Sequence, residues 1–327
     1  MTLAIGIPDY SEYEIKPPYF GDMVYNALKE RTGRAEKITI KLKPFSDTSE
    51  KVVIEDHIEG RDLFIVQPFY PPAARHLGLT AEMLDAARRT NSPHGSTRLV
   101  ELFNPYNRQD SMWGREPVTA RLVADIYQAA GMQSLITADL HAKQTVGFYT
   151  VPVKPLPLSV PLARYFRDKY EFDRRKTVVA SPDAGGYANA EFFANLLGLD
   201  MVAFHKKRIN DKEVVIEVLG DVQGKDVLLR DDQIGTGTTI VAAANAARAK
   251  DARKVYAVAS HLVLSGNARQ SLMDADIKVI GTNSIPQMFT DEELKHFDVF
   301  DVAPLTAEVI DLAYRDESIS KYFKRII

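Results

Sequence analysis

The sequence predicts two α/β domains, each built on a mostly parallel sheet flanked by helices. Three observations carry this expectation. Short apolar runs rich in Val, Ile and Leu alternate with helical patterns from end to end. A proline-punctuated segment, residues 151–158, interrupts the alternation near mid-chain, and the alternation then restarts. With 327 residues the chain is long enough for two separate cores. The boundary is set in the proline segment, giving domains 1–155 and 156–327.

In the first half, apolar runs at 3–7, 37–42, 63–67, 99–103 and 135–138 are expected as strands. Helical patterns cover 21–31, 80–89 and 117–130, the last with a proline in its first turn. In the second half, strands are expected at 177–180, 201–204, 214–219, 227–229, 255–259 and 277–282. Helices are expected there at 160–169, 186–197, 239–249 and 267–273. No low-complexity stretch and no repeat at the scale of solenoids interrupts this order.

Composition removes several function classes. Apolar residues make up 45% and charged residues 26%, ordinary values for a soluble globular protein. The formal charge of -3 leaves no basic surplus for nucleic acid. Cysteine is absent, which excludes disulfides, thiolate metal sites and a cysteine nucleophile. The start, Met-Thr-Leu-Ala-Ile-Gly-Ile-Pro-Asp, is too short and uncharged for a signal peptide. No apolar run approaches the ~20 residues that span a bilayer. The expectation is a cytoplasmic protein that binds neither membrane nor nucleic acid.

Residues 226–240 are the most informative stretch. The apolar run Val227-Leu228-Leu229 reads as a buried parallel strand. It ends in adjacent carboxylates, Asp231 and Asp232, followed by the turn Gly235-Thr236-Gly237-Thr238-Thr239 and an Ala-rich helical run. Backbone amides converging on such a turn, together with the helix dipole, favour an anion. Carboxylates beside it repel a bare phosphate but suit the vicinal hydroxyls of a sugar. The combination reads as a phosphorylated sugar, its phosphate on the turn and its diol on the acids. A dinucleotide fingerprint would need a third glycine, and a Walker loop would need a Gly-Lys-Ser/Thr string; the chain has neither. The plain alternative is a strand-to-helix turn with an Asx cap.

Four further constellations follow expected strands. His141 sits where an imidazole ligates a cation, faces a substrate or simply packs. Asp183, in Ser181-Pro182-Asp183-Ala184-Gly185-Gly186, is either a site carboxylate or a plain N-cap. The basic run around Lys206, Lys207 and Arg208 is either a solvated face or a cationic flap that steadies transferring phosphoryl oxygens. Arg108, Gln109 and Asp110, with Phe45 and Asp47, offer planar and polar groups for a purine.

In this order and spacing, the motifs resemble those of the ribose-phosphate pyrophosphokinase (phosphoribosyl pyrophosphate synthetase) family. The resemblance rests on Asp62-Leu-Phe-Ile-Val-Gln-Pro68, Arg108-Gln-Asp110, Arg115-Glu-Pro-Val-Thr-Ala120 and Asp139-Leu-His-Ala142. It continues through the 181–186 string, the 231–239 loop, Ser265-Gly-Asn267 and Glu317-Ser-Ile-Ser320, and so covers nearly the whole chain. It implies two phosphoribosyltransferase-like domains and Mg-ATP-dependent transfer of diphosphate to the anomeric hydroxyl of ribose 5-phosphate. By resemblance, Lys206, Arg208 and His141 are catalytic, and His141 and Asp183 belong to the Mg2+ shell. Asp231 and Asp232 bind the ribose hydroxyls, and Gly235, Thr236, Gly237, Thr238 and Thr239 hold the 5-phosphate. Phe45, Asp47, Arg108, Gln109 and Asp110 surround the adenine of ATP. That site is completed across a subunit contact, which implies a homo-oligomer built from dimers, a hexamer among the forms expected.

The chain also departs from the family pattern. The family's third loop aspartate is Gly235 and its second glycine is Thr238, which makes a roomier and less anionic turn. A larger acceptor such as ADP-ribose is therefore an alternative to ribose 5-phosphate. At the adenine position, ungapped alignment puts Ser49 in place of a glutamate, and Glu50 replaces it only if the turn slips by one residue. The basic stretch that helps bind regulatory phosphate has become Ser-Met-Trp-Gly at 111–114, so weak or absent phosphate activation is expected. Pro71-Pro-Ala-Ala-Arg-His-Leu-Gly78 lacks the family's Asn-Asp-Asn run. A second alternative, from another class, is a non-catalytic synthetase-associated subunit that restrains the enzyme.

Overall fold

A computed structural model of the chain describes residues 2–13, 15, 19–91, 94–208 and 214–320. Two sheets organise it, each of seven strands. The first contains β1 (Leu3–Asp9), β2 (Glu36–Pro44), β3 (Glu50–Ile54), β4 (Asp62–Val66), β5 (Ser96–Val100), β6 (Ser134–Ala138) and β7 (Val153–Leu156). Its order is β3-β2-β1-β4-β5-β6-β7. The second contains β8 (Thr177–Ser181), β9 (Asp200–Arg208), β10 (Val214–Leu219), β11 (Asp226–Ile234), β12 (Lys254–Leu262), β13 (Lys278–Thr282) and β14 (Phe297–Phe300). Its order, β10-β9-β8-β11-β12-β13-β14, is the first order repeated seven strands later. In each sheet one edge hairpin is antiparallel, β2 with β3 and β9 with β10. Every other neighbouring pair is parallel.

The helices are α1 (Phe20–Thr32), α2 (Ala73–Thr90), α3 (Thr119–Ala130), α4 (Ser159–Lys169), α5 (Tyr187–Leu197), α6 (Thr238–Arg248), α7 (Ala268–Asp274) and α8 (Ala303–Tyr314). None of the described helices is long and apolar enough to cross a membrane. Leu63, Phe64, Ile65 and Val66 of β4 are wholly buried, as are Val227, Leu228 and Leu229 of β11. Strands covered on both faces need such unbroken apolar runs, which is why these two were legible without alternation.

Contacts divide the chain into two compact units: residues 1–156 with 284–286 and 302–321, and residues 157–283 with 287–301 and 322–327. The sequence reading carried the second domain through 327. The contacts instead give α8 to the first unit, where Arg31 of α1 meets Glu308 at 3.3 Å and Asp311 at 3.4 Å. The proline segment is also not simply a linker, because it contains β7, the edge strand of the first sheet. A proline is tolerated there because an edge strand leaves one side of its backbone unpaired.

In each sheet the first strand lies between its successor and the fourth. The chain leaves β1 toward β2 and returns to pair β4 on the other side, and β8 is flanked in the same way by β9 and β11. Such reversals open a crevice at the carboxyl ends of the two central strands, the usual ligand position in open α/β sheets.

Candidate active site

In the second unit the crevice between β8 and β11 is acidic. β11 pairs with β8 only from Asp226 to Leu229, yet stays paired with β12 as far as Ile234. Its last residues, including Asp231 and Asp232, therefore overhang the end of β8. Asp183 comes from the loop after β8, where its Oδ1 accepts from Gly186 N at 3.0 Å and Ser181 Oγ donates to its carbonyl at 2.6 Å.

Gly186 marks where the two acids meet. A Cβ there would lie 2.6 Å from Ser181 Oγ, 3.7 Å from Asp183 Oδ1 and 3.8 Å from Asp231 Oδ1. Any side chain at 186 would thus enter the space between the carboxylates. Asp231 Oδ1 accepts from Asp232 N at 2.8 Å. Burial, then hydrogen bonding and repulsion from Asp232 and repulsion from Asp183, push the Asp231 carboxyl up to about 8. A carboxyl kept protonated by burial and by its acidic neighbours calls for a cation, which would favour its charged form, or for hydroxyl partners.

Beside the acids, the turn 235–237 leads into α6. Gly237 adopts φ 77 and, having no side chain, gives α6 no side-chain cap. A Cβ at Gly237 would come 3.3 Å from Leu272 Cγ, and the left-handed backbone itself favours glycine. The turn is fixed from below, as Leu264 N donates to Ile234 O at 3.0 Å and Ser265 N to Gly235 O at 3.1 Å. Thr236 and Thr238 are exposed, and their hydroxyls lie 3.1 Å apart. The result is a rigid turn with outward hydroxyls and an uncapped helix end, suited to an anion.

Sequence reasoning missed Arg230. It is 1% exposed, and its guanidinium donates to Ser159 Oγ at 3.0 Å and Ser260 Oγ at 2.8 Å. Its only visible signal was an arginine ending an apolar strand.

Lys206 and Arg208 were expected on a flap without regular structure. The backbone instead continues β9 through Arg208 and pairs it with Val214 of β10, so these positions stand in a β-hairpin. The side chains of Lys206 and Arg208 lie outside the described residues, as do residues 209–213.

In the first unit the corresponding crevice is closed. Tyr10, directly after β1, donates to Gln67 Oε1 at 2.9 Å, and burial pushes its phenol up. Gln67 Nε2 lies 3.3 Å from His76 Nδ1, and His76 Nε2 lies 2.7 Å from Glu101 Oε1. Tyr127 OH donates to the same Glu101 oxygen at 3.0 Å, while Asn104 Nδ2 donates to the other at 2.9 Å. All six side chains are buried. Together they plug the carboxyl end of the first sheet's central strands.

The residues expected around a purine therefore lie on loops outside the plugged crevice. Phe45 and Asp47 sit on the β2–β3 hairpin turn, with Phe45 51% exposed. Asp47 Oδ1 accepts from Ser49 N at 3.0 Å and Ser49 Oγ at 2.6 Å, contacts that hold its carboxyl below the usual range. Glu50 is not free to replace the missing glutamate, because Arg75 of α2 engages it at 2.7 Å. Arg108 and Gln109 are exposed and Asp110 is half-buried, on the loop after β5. Arg108 makes no hydrogen bond or ion pair with a described residue, which leaves its guanidinium available. The start of α2 joins both loops, through Arg75 to Glu50 and through His76 to Glu101 and Asn104. Within the 71–78 segment, which lacks the family's Asn-Asp-Asn run, Arg75 and His76 thus make these structural contacts.

His141 stands exposed after β6, in the first unit, whereas Asp183 belongs to the second. Among the described residues no three His, Asp or Glu side chains gather closely enough to hold a metal ion by themselves.

A profile described as the N-terminal domain of ribose phosphate pyrophosphokinase matches residues 18–131. One described as the phosphoribosyl synthetase-associated domain matches residues 200–324. A ribose-phosphate pyrophosphokinase from Wolinella succinogenes is 40% identical over 283 residues, 85% of this chain and 89% of that protein. The protein of the same name from Campylobacter jejuni is 38% identical over 286 residues, 86% of this chain and 90% of that one. The solved phosphoribosylpyrophosphate synthetase from Mycobacterium smegmatis matches with a TM-score of 0.84 and 30% identity, covering 96% of this chain and 100% of that one.

Proposed function

This chain belongs to the ribose-phosphate pyrophosphokinase family, and we propose that it transfers the β,γ-diphosphoryl group of ATP to the anomeric hydroxyl of ribose 5-phosphate. The single observation that carries this reading is the convergence of Asp183 and Asp231 over Gly186, beside the uncapped start of α6. Acids and amides side by side suit the two ends of one molecule, a diol and a phosphate. Asp231 and Asp232 accept the ribose hydroxyls, and the 235–239 turn holds the 5-phosphate.

In the step itself, the anomeric oxygen attacks the β-phosphorus of ATP. The bond from that phosphorus to the α,β-bridging oxygen breaks, AMP leaves, and the hydroxyl proton passes to solvent. Lys206 and Arg208 neutralise the diphosphoryl oxygens in transit, which is where fixed cations lower a phosphoryl-transfer barrier. Phe45, Asp47, Arg108, Gln109 and Asp110 receive the adenine, in a site shared with a second copy of the chain in a homo-oligomer built from dimers. The setting is the cytoplasm.

The donor set fits Mg2+. Asp183 offers a hard carboxylate oxygen at the acidic crevice, the ligand type that Mg2+ takes while keeping waters and binding substrate phosphates. Asp183 would hold it, and it would supply charge neutralisation at the ATP phosphates; His141, expected beside it from the family resemblance, belongs to the first unit.

A second reading, with ADP-ribose as acceptor, is favoured by Gly235, which gives the turn neither side chain nor charge where the family has an aspartate. Offering ribose 5-phosphate and ADP-ribose separately with Mg-ATP, and following products by mass spectrometry, tests both. AMP with ribose 5-phosphate at the higher kcat/KM supports the main reading, and the reverse preference supports the second. No AMP with either acceptor would leave a non-catalytic, synthetase-associated role.

A further inference from the structure

At the opposite end of the second sheet lies a cavity of about 430 Å³, a volume within the usual range for small-molecule sites. Its walls come from the amino ends of strands. Lys254 begins β12, Lys278 begins β13, and His296 directly precedes β14. Arg253 anchors the same region to Asp226, the first residue of β11, through two bonds of 2.8 and 2.7 Å. Asp231 lies five residues along that strand, roughly 16 Å away at the rise of an extended chain. The cavity is therefore separate from the acidic crevice.

The manner in which its cations are held is the informative feature. Arg248 is half-buried and donates to the carbonyls of Ala275 at 2.6 Å and Asp276 at 2.8 Å. Lys278 is half-buried and donates to the carbonyl of Lys295 at 2.8 Å. Carbonyl partners fix the direction of a cation without cancelling its charge. Lys254 makes no hydrogen bond or ion pair with a described residue. By contrast, Arg253 is matched by Asp226 and Lys295 by Glu292.

Acidic groups do approach the cavity. Asp276 lines it, and Asp298, which does not, acts electrostatically on Lys278. Asp298, however, is already bound by Lys169 at 2.7 Å and by the Tyr165 and Tyr170 hydroxyls. Burial, only partly offset by Asp298, and the nearby Lys169 hold the Lys278 ammonium below its usual value, as expected of a cation short of counter-charge. Three converging cations of this kind match an anion with several charged oxygens better than a single carboxylate.

We propose that this cavity binds an anion carrying two or more linked phosphoryl groups, as in pyrophosphate or a nucleoside diphosphate. The site rests on the second unit alone and does not depend on the reaction assigned above.

Hydrogen–deuterium exchange on the full chain, with pyrophosphate, ADP or inorganic phosphate added at millimolar concentration, tests the assignment. Pyrophosphate and ADP should each protect peptides covering 248–256, 275–279 and 295–297, and inorganic phosphate should do so much more weakly. In Lys254→Glu, half-protection should require about tenfold more ligand, the loss of one charge-assisted contact. Lys278→Gln should shift it in the same direction, and the melting temperature of each variant checks that the unit stays folded. Protection confined to 231–239, equal protection by inorganic phosphate, or binding unaltered in both variants would overturn the site.

Discussion

Replacing His76 by alanine should unlock the plug that closes the first unit's crevice. The imidazole bridges Gln67 at 3.3 Å and Glu101 at 2.7 Å, and all three side chains are at most 2% exposed. The substitution leaves the Glu101 oxygen with Tyr127 alone and leaves Gln67 Nε2 without its ring partner. The unsatisfied Gln67 amide costs about 1–3 kcal/mol, and the lost bond to the Glu101 carboxyl about 1.5 kcal/mol. The vacated ring volume, against which Phe69 packs edge-on with centroids 5.3 Å apart, adds roughly 1 kcal/mol more. The total is about 4 kcal/mol. At about 2–4 °C per kcal/mol for a unit of this size, the melting temperature falls by about 8–16 °C. Circular dichroism melts of the full chain and of His76→Ala, followed at the transition of the first unit, read this directly. His76→Gln, which retains a donor, should lose less. Because Asn104 hangs on the same Glu101, the KM for ATP should also rise in His76→Ala. A melting temperature lowered by less than about 3 °C would refute the reasoning, because it would mean that the network tolerates the loss of its bridge.

Three further outcomes follow from the second unit. The folded-state pKa of Asp231, near 8, lies above its unfolded value, so its contribution is fully present below the unfolded value and is lost as pH rises through 8. The ligand-free protein should therefore lose melting temperature between pH 5 and about pH 8, whereas Asp231→Asn should flatten that slope and bind ribose 5-phosphate more weakly. Gly237→Ala forces a side chain into a left-handed backbone and against Leu272, so calorimetry should register a loss of about 1–2 kcal/mol. Lys206→Ala should lower kcat by about a hundredfold or more with little change in the Kd for ribose 5-phosphate, because the cation acts in transit; unchanged turnover would remove Lys206 from the step.

What was legible in the sequence was what local patterning encodes. The central strands are unbroken apolar runs, and the 231–239 string announced a strand, a turn and a helix start together. Strand β3 was missed because Glu50-Lys51 opens it with charge on an edge that needs no continuous apolar face. Strand β7 was hidden by Pro155 within it and by the prolines on either side, and α8 by a near-uniform apolar composition that lacks a helical stripe. The matched topology of the two halves was invisible because strand order is set by pairings far apart in sequence. At the candidate site, Asp183 and Asp231 were found because each follows a short apolar run that reads as a buried strand. Their convergence over Gly186 is a tertiary fact that only the β8–β11 pairing reveals. The plug was unreadable for the same reason, since Tyr10, Gln67, His76 and Glu101 come from four separate segments.

The most direct test of the central claim follows which bond of ATP is broken. Mg-ATP labelled with 18O in the α,β-bridging position is incubated with the protein and ribose 5-phosphate, and the nucleotide product is weighed by mass spectrometry. Diphosphoryl transfer predicts AMP that retains the label, formed mole for mole with a sugar that has gained two phosphorus atoms. Formation of ADP with a sugar that has gained one phosphorus would contradict it.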